Sequence, residues 1–262
     1  MKIICLVKFV PKVDDFKYDT ERNILVREDV PLIINPDDAC ALEFALQMKD
    51  KNTDVIIEVV SMGPVQLQSK LADLLRRNVD VATLISDKKY VGSDSFVTAK
   101  ILSTYLKTRP FDLILSGSQT LDGDTGHVGP QVGELLNLSQ YSNIVKIEEI
   151  SLFEAIVKVD DDDRFLILGL PLPALLSVSK ESKYKLRFVK ATHMNQDVSE
   201  RLFMITNDEL QLKDSYIGLK GSPTKVKMTF VKERGLKKSV HVKCDDAGIE
   251  KVHGFLKKMG VI

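Results

Sequence analysis

Residues Phe111 to Leu136 read FDLILSGSQTLDGDTGHVGPQVGELL, and the passage from strand to glycine loop to helix within them decides the fold. Phe111 to Leu115 is short, apolar and β-favouring, the pattern of a strand in a buried parallel sheet. Gly117, Gly123, Gly126 and Gly129 let the backbone take positive φ values or approach a ligand closely. Pro130 suits the first turn of a helix, and Val132, Leu135 and Leu136 give that helix an apolar face. Strand, loop and helix N-terminus together make an anion site, because unpaired N–H groups and the helix dipole both point at the loop. The loop carries no Lys, so it is not a P-loop, and no G-x-G-x-x-G, so it is not the usual dinucleotide fingerprint.

Asp122 and Asp124 would repel a phosphate, so they are expected to turn inward and accept backbone N–H bonds, or to contact ribose hydroxyls. Three other accounts of Asp122-Gly123-Asp124-Thr125 stay open. An aspartate nucleophile pair normally follows its strand directly, whereas Gly117 to Leu121 intervene here. A calcium loop needs an acid or amide where Gly126 stands and a glutamate where Gly133 stands. A purely structural, capped loop is the third.

At 262 residues and 44% hydrophobic content, the chain has room for one α/β domain plus an extension. Lys and Arg number 37 and Asp and Glu 37, so no net field argues for nucleic acid or an anionic membrane. Cys5, Cys40 and Cys244 are far apart and odd in number, which fits a reducing compartment and neither a disulfide framework nor a zinc site. No apolar run reaches membrane-spanning length, and Lys2 leads into a strand instead of a signal peptide, so a cytoplasmic chain is expected.

Met1 to Val10 reads as a central first strand ended by Pro11, and Phe16 to Tyr18 with Ile24 to Arg27 as a surface hairpin. Asn35 is a good N-cap for the first long helix, Pro36 fits its first position, and Asp37 and Asp38 complement its dipole. Ala39, Leu42, Ala45 and Leu46 supply that helix's core stripe. Val55 to Val60 is the next strand, turned through Ser61-Met62-Gly63-Pro64 into a helix to about Arg77. A third strand, Asp80 to Ile85, precedes a helix capped by Ser93 or Asp94.

Strands alternating with helices make a doubly wound parallel α/β sheet, on which ligands bind beyond the C-terminal strand ends. Asn35, Ser61 to Gly63, Ser95 and the glycine loop all follow strands, so they converge on one crevice suited to a nucleotide. Ile144 to Ile150, Leu152 to Val159 and Arg164 to Gly169 read as further strands, with Asp160 to Asp163 as a solvated hairpin tip instead of a metal site. Lys180 to Lys190 is basic and interleaved with Tyr184, Leu186, Phe188 and Val189, which suits a protein-docking loop. The Gly- and Pro-bearing segment after residue 190, then a helix from about Asp245 to Lys258, cannot build a core of its own and must lie on another surface. His127, His193, His241 and His253 are scattered without a nucleophile set, so no catalytic side chain is expected.

Gly117-Ser118-Gln119-Thr120-Leu121-Asp122-Gly123-Asp124-Thr125-Gly126-His127-Val128-Gly129-Pro130 resembles the signature loop of the electron transfer flavoprotein β subunit, G-K-Q-A-x-D-G-D-T-x-Q-V-G-P. The resemblance continues along nearly the whole chain. It runs through Lys8-Phe9-Val10-Pro11, Asn35-Pro36-Asp37-Asp38, Ser61-Met62-Gly63-Pro64, Gly92 to Ala99, Pro171 to Val178 and Tyr216 to Val226. It implies a Rossmann-like sheet of the adenine-nucleotide α-hydrolase type over residues 1–190, with an arm over 191–262 that packs on a partner α subunit.

It further implies a nucleotide site formed by Leu6, Asn35, Pro36, Asp37, Asp38, Ser61, Met62, Gly63, Asp94, Ser95 and Thr98, together with every residue from Ser118 to Pro130. The occupant is FAD in the electron-bifurcating members, which oxidise NADH, or structural AMP in plain carriers. Asp-Gly-Asp-Thr-x-x-Val-Gly-Pro and Gly-Ser-Pro-Thr look closer to the FAD group. A second FAD belongs mainly to the α subunit. The family's recognition loop reaches an acyl-CoA dehydrogenase or similar flavin dehydrogenase. Here it matches at Tyr184, Lys190 and Ala191 and lacks the family's asparagine and prolines, with Leu186 as the expected anchor. Outside this family, the same sheet also suits an adenine-nucleotide-binding enzyme or regulator.

Overall fold

Alternation along the first strand sets the layers. In β1 (Lys2–Leu6) Ile3 and Cys5 face one side of the sheet and Ile4 and Leu6 the other, and all four are buried. Both faces are therefore covered, as the near-continuous apolar run requires. The computed structural model describes residues 1–12, 17–19, 24–26, 31–225 and 241–261.

In chain order β1 is followed by β2 (Phe9–Pro11), β3 (Lys17–Asp19), β4 (Ile24–Val26), β5 (Leu32–Ile34), α1 (Pro36–Lys51), β6 (Ile56–Met62), α2 (Gln68–Leu75), β7 (Val81–Ile85), α3 (Ser95–Leu106) and β8 (Leu113–Gly117). Then come α4 (Val128–Leu135), β9 (Ser139–Ile150), β10 (Glu154–Asp161), β11 (Arg164–Pro171), β12 (Ala174–Val178), β13 (Leu202–Ile205), α5 (Asn207–Leu210), α6 (Gly218–Gly221) and α7 (Asp246–Lys258).

Nine strands form one sheet in the order β11-β10-β9-β12-β8-β1-β6-β7-β13. The β9–β10 and β10–β11 pairs are antiparallel and the other pairs parallel. The chain leaves β1 through α1 toward β6 and through α2 toward β7, then α3 returns it to β8 on the opposite side of β1. The crossovers diverge at that divide, which opens a crevice at the C-terminal strand ends. Leu42, Ala45 and Leu46 of α1 and Leu71 of α2 pack on one face with Ile57 and Leu113. Val97 and Ile101 of α3 and Val132 of α4 pack on the other with Ile114 and Leu175.

The expected short strand pairs are present: β3 pairs with β4 antiparallel, while Phe16, Arg27 and the intervening turn lie outside the described residues. The strand expected at Ile144 begins earlier, at Ser139, because β12 pairs with its polar first half before β10 takes over. The strand β13 was not expected, since Phe203 and Met204 of this edge strand are exposed and carry no buried alternation; pairing Leu202 to Ala82 creates it.

The chain divides into two compact units, Met1–Lys225 and Val226–Ile262, whereas the expected arm begins at residue 191. Residues after 190 belong to the body because β13 joins its sheet and Val198 and Ile217 are buried in its two cores. In the second unit, Asp245 caps α7 by accepting the Gly248 N–H at 2.8 Å. The unit itself buries none of Ile249, Val252 and Phe255, which recur along α7 at helical spacing, nor Met259 at its C-cap. No helix among the described residues is long and apolar enough to cross a membrane.

Candidate nucleotide site

Two helices open onto the crevice, and they begin differently. In α3 the Asp94 carboxylate caps the first turn, accepting the Val97 N–H at 3.0 Å. In α4 the N-cap is His127, which makes no side-chain cap bond. The first N–H groups of α4 therefore keep no side-chain acceptor and add to the dipole's positive end. Of the loop glycines, only Gly126 takes positive φ, at 61°, which turns the chain into α4.

Asn35, Asp37 and Asp38 correct the simple picture of a capped, dipole-matched helix start. Asn35 makes no side-chain cap bond. Its Nδ2 donates to Gln119 O at 2.7 Å and its Oδ1 accepts the Leu121 N–H at 3.2 Å, so it clasps the glycine loop. Asp38 accepts the Gly117 N–H at 2.8 Å and the Lys8 N–H at 2.7 Å, joining the ends of β8 and β1. Asp37 accepts the Gln119 N–H at 3.1 Å and the Lys180 N–H at 3.2 Å, tying in the chain after β12. Burial pushes both carboxyls up, while these N–H bonds favour the ionised forms.

The loop's own aspartates behave unlike one another. The Asp122 carboxylate accepts from Lys8 Nζ at 2.7 Å instead of from backbone N–H groups of neighbouring residues. Partial burial pushes Asp122 up, but the Lys8 bond and charge outweigh it and hold the carboxyl below its usual range. Asp124 sits at φ 49° and its N–H donates to Thr120 O at 2.9 Å. Since the Lys8 and Asp122 side chains are 46% and 35% exposed, Lys8→Met should change stability by no more than about 0.5 kcal/mol. The same substitution should return the Asp122 carboxyl toward its ordinary value, as read by carboxyl-carbon NMR titration; an unmoved Asp122 would rule out the pairing in solution.

The resulting cavity has a volume of about 440 Å³. That is within the ~300–1,000 Å³ typical of small-molecule sites. Leu6, Asp38, Met62, Asp94, Ser95 and Thr98 line it, as do Ser118, Gln119 and Thr120 and the turn from Gly123 into Gly129, without Asp124. Asn35, Pro36, Asp37, Ser61, Gly63, Leu121, Asp122, Asp124 and Pro130 are not among the residues that line it. Ser61 is fully buried, and its hydroxyl has no hydrogen-bond partner.

Sequence reasoning left Val7, Lys8, Val60, Leu102, Ser116 and Thr224 out of the site, yet they line it. Leu102 had a signal, four positions after Thr98 on α3. Thr224 had no local one: its N–H and hydroxyl reach Asp94 at 2.9 and 2.7 Å across 130 residues. Partial burial pushes Asp94 up, but the Val97 and Thr224 bonds hold it below its usual range.

An adenine nucleotide fits this set. The uncapped α4 turn offers N–H groups to a phosphate, and Val60, Met62 and Leu102 offer apolar surface to a flat ring. Among the described residues no group of three His, Cys, Asp or Glu is placed to hold a metal ion.

The basic loop departs from expectation. Tyr184 and Leu186 pack against the core, Tyr184 with its ring centroid 5.7 Å from that of Phe44. Arg187 forks onto the buried Glu43, with Nη2 to Oε1 at 2.9 Å and Nε to Oε2 at 3.1 Å, which turns the loop onto α1. The apolar side chain this loop presents is Phe188, 90% exposed, and not Leu186.

Residues 22–197 match the electron transfer flavoprotein domain family. The chain is 36% identical over 230 residues to the electron transfer flavoprotein subunit beta of Thermoanaerobacterium thermosaccharolyticum, covering 87% of each chain. It is 34% identical over 233 residues to the caffeyl-CoA reductase-Etf complex subunit CarD of Acetobacterium woodii, covering 88% of this chain and 87% of that one. Against protein FixA of Azotobacter vinelandii the identity is 31% over 260 residues, covering 94% and 89%.

Proposed function

This chain belongs to the electron transfer flavoprotein β-subunit family, and we propose that it holds FAD in the crevice and pairs with an α subunit to pass electrons between flavins. The observation that carries the nucleotide is the uncapped α4 turn opening into the cavity beside Ser118 to Thr120. FAD over AMP is supported by Thr224: the Gly-Ser-Pro-Thr segment and the glycine loop, the two pieces that resemble the FAD-binding group, both line one cavity.

The α4 N-terminus and the loop amides hold the diphosphate, while Met62, Val60 and Leu102 contact the adenine. The Asn35, Asp37 and Asp38 clasp keeps the loop in place. When bound, the flavin supplies the hydride and single-electron chemistry; the protein contributes position and electrostatics. Similarity to a subunit of a caffeyl-CoA reductase-Etf complex supports work within a larger oxidoreductase assembly; NADH as donor and an acyl-CoA dehydrogenase type partner complete the proposal. The apolar stripe of α7 is the surface that packs on the α subunit.

The second reading is the same subunit around structural AMP, since the adenosine and phosphate contacts serve both nucleotides. Coexpression with an α subunit, denaturation and quantification of released nucleotide separates them. Two FAD per heterodimer are expected; one FAD with one AMP makes this subunit a scaffold, and no nucleotide in this chain sinks the site.

A further inference from the structure

Away from the crevice, the end of α2 and the loop after β12 enclose a second cavity of about 110 Å³. Arg76, Arg77, Arg187, Lys190 and His193 line it with a single carboxylate, that of Asp50. Asp50 is already engaged, 2.8 Å from Arg187 Nη2, and Arg187 also holds Glu43. Arg76 pairs with Asp73 at 3.0 Å and donates from Nε to Gln196 O at 3.2 Å.

The remaining basic side chains are less fully engaged. Arg77 donates from Nη1 to Arg187 O, but its Nε is buried with no hydrogen-bond partner. The Lys190 ammonium has no hydrogen bond or salt bridge among the described residues, though its charge acts on Asp50, and the His193 ring uses only Nδ1, 3.2 Å from Arg76 O. A buried donor lacking an acceptor carries its full desolvation penalty, which leaves the Arg77 guanidinium under-satisfied at the cavity wall. Burial accordingly pushes the Arg77 guanidinium down, with Asp73 and Glu43 opposing.

We propose that this cavity is an oxyanion site, taking one tetrahedral phosphate or sulfate group between Arg77 and Lys190, with Arg76 and His193 as further donors. The planar guanidinium fork suits such a group, and Lys190 adds a point charge. The volume is far below the ~300–1,000 Å³ of a drug-sized ligand's site, so the occupant is a free ion or the phosphate end of a small molecule. The site is independent of the nucleotide crevice and stands whether that crevice holds FAD or AMP.

Crystals of the full chain soaked in tungstate, a phosphate mimic visible by anomalous scattering, test it directly. A peak in this cavity that inorganic phosphate displaces is expected; peaks confined to the nucleotide crevice, or none, overturn the site. In solution, calorimetric titration with inorganic phosphate at constant ionic strength should weaken about tenfold on Lys190→Ala, an exposed change that leaves folding intact, and on Arg77→Gln. Glycerol phosphate binding more tightly than inorganic phosphate marks a phosphorylated small molecule as the occupant, and the reverse marks a free ion. A tungstate peak with no Lys190→Ala effect marks an adventitious ion only and overturns the proposal.

Discussion

Replacing Asp38 by alanine should destabilise the chain by about 2–3 kcal/mol, because two partly buried backbone N–H groups lose their acceptor, each at about 1–1.5 kcal/mol. Those groups belong to Gly117 at 2.8 Å and Lys8 at 2.7 Å, so the loss falls at the ends of the two strands that frame the crevice. Urea denaturation measures the stability, and nucleotide retained per chain measures the site. Asp38→Asn is the milder variant, since its amide oxygen still accepts one of the two. An Asp38→Ala chain as stable as wild type would mean that the clasp does not organise the crevice.

The same carboxyl sets a pH dependence. Burial pushes Asp38 up to about 7, against the opposing bonds from Lys8, Gly117 and Asn35. A folded value above the unfolded one means that the native chain binds this proton more tightly. The contribution is complete below the unfolded value near ~4 and is lost as pH rises through about 7. Between about pH 4 and pH 7 the wild type should therefore lose stability relative to Asp38→Asn, which carries no such proton, and above that the difference should level off. Parallel stability curves for the two chains would show that Asp38 stays ionised throughout.

Gly117→Ala should nearly empty the crevice of nucleotide at a comparable cost in stability. A Cβ at this position meets the Asp38 carboxylate, and lies 2.7 Å from Asp37 Cβ and 2.8 Å from Asp38 N. These are parts of the first turn of α1, which cannot swing aside as a flexible side chain does. Overpacking of this kind costs about 1–3 kcal/mol. The strain pries α1 from β8 where Asp37 and Asp38 hold the loop, so affinity should fall about tenfold for each 1.4 kcal/mol of organisation lost. Calorimetric titration of the nucleotide-stripped chain with AMP and FAD reads this; wild-type affinity would mean that the close approach is incidental.

Much of the fold was legible because its signals are local and periodic. The alternation in β1, the stripe of Leu42, Ala45 and Leu46, and the Asp94 cap each depend on residues a few positions apart. The polar start of β9 and the edge strand β13 were not legible, because only the neighbouring strands β12 and β7 make them strands. Local preference also misassigned Asn35, a residue type that suits a cap; in the structure its amide is drawn away by the carbonyl and N–H of a loop 84 and 86 residues distant.

The sequence by itself determined the α/β class, the strand–glycine loop–helix passage at Gly117 to Pro130 and the family, because backbone requirements and long motifs are written in consecutive residues. Tertiary structure alone decided that Asp37 and Asp38 hold the loop from behind, that Asp122 answers to Lys8, and that Thr224 joins the cavity lining. It also decided that Arg187 folds the basic loop inward until Phe188, and not Leu186, stands in solvent. Each of these is a hydrogen bond or ion pair between residues brought together by the sheet, and such pairings depend on position in space, which spacing along the chain does not encode.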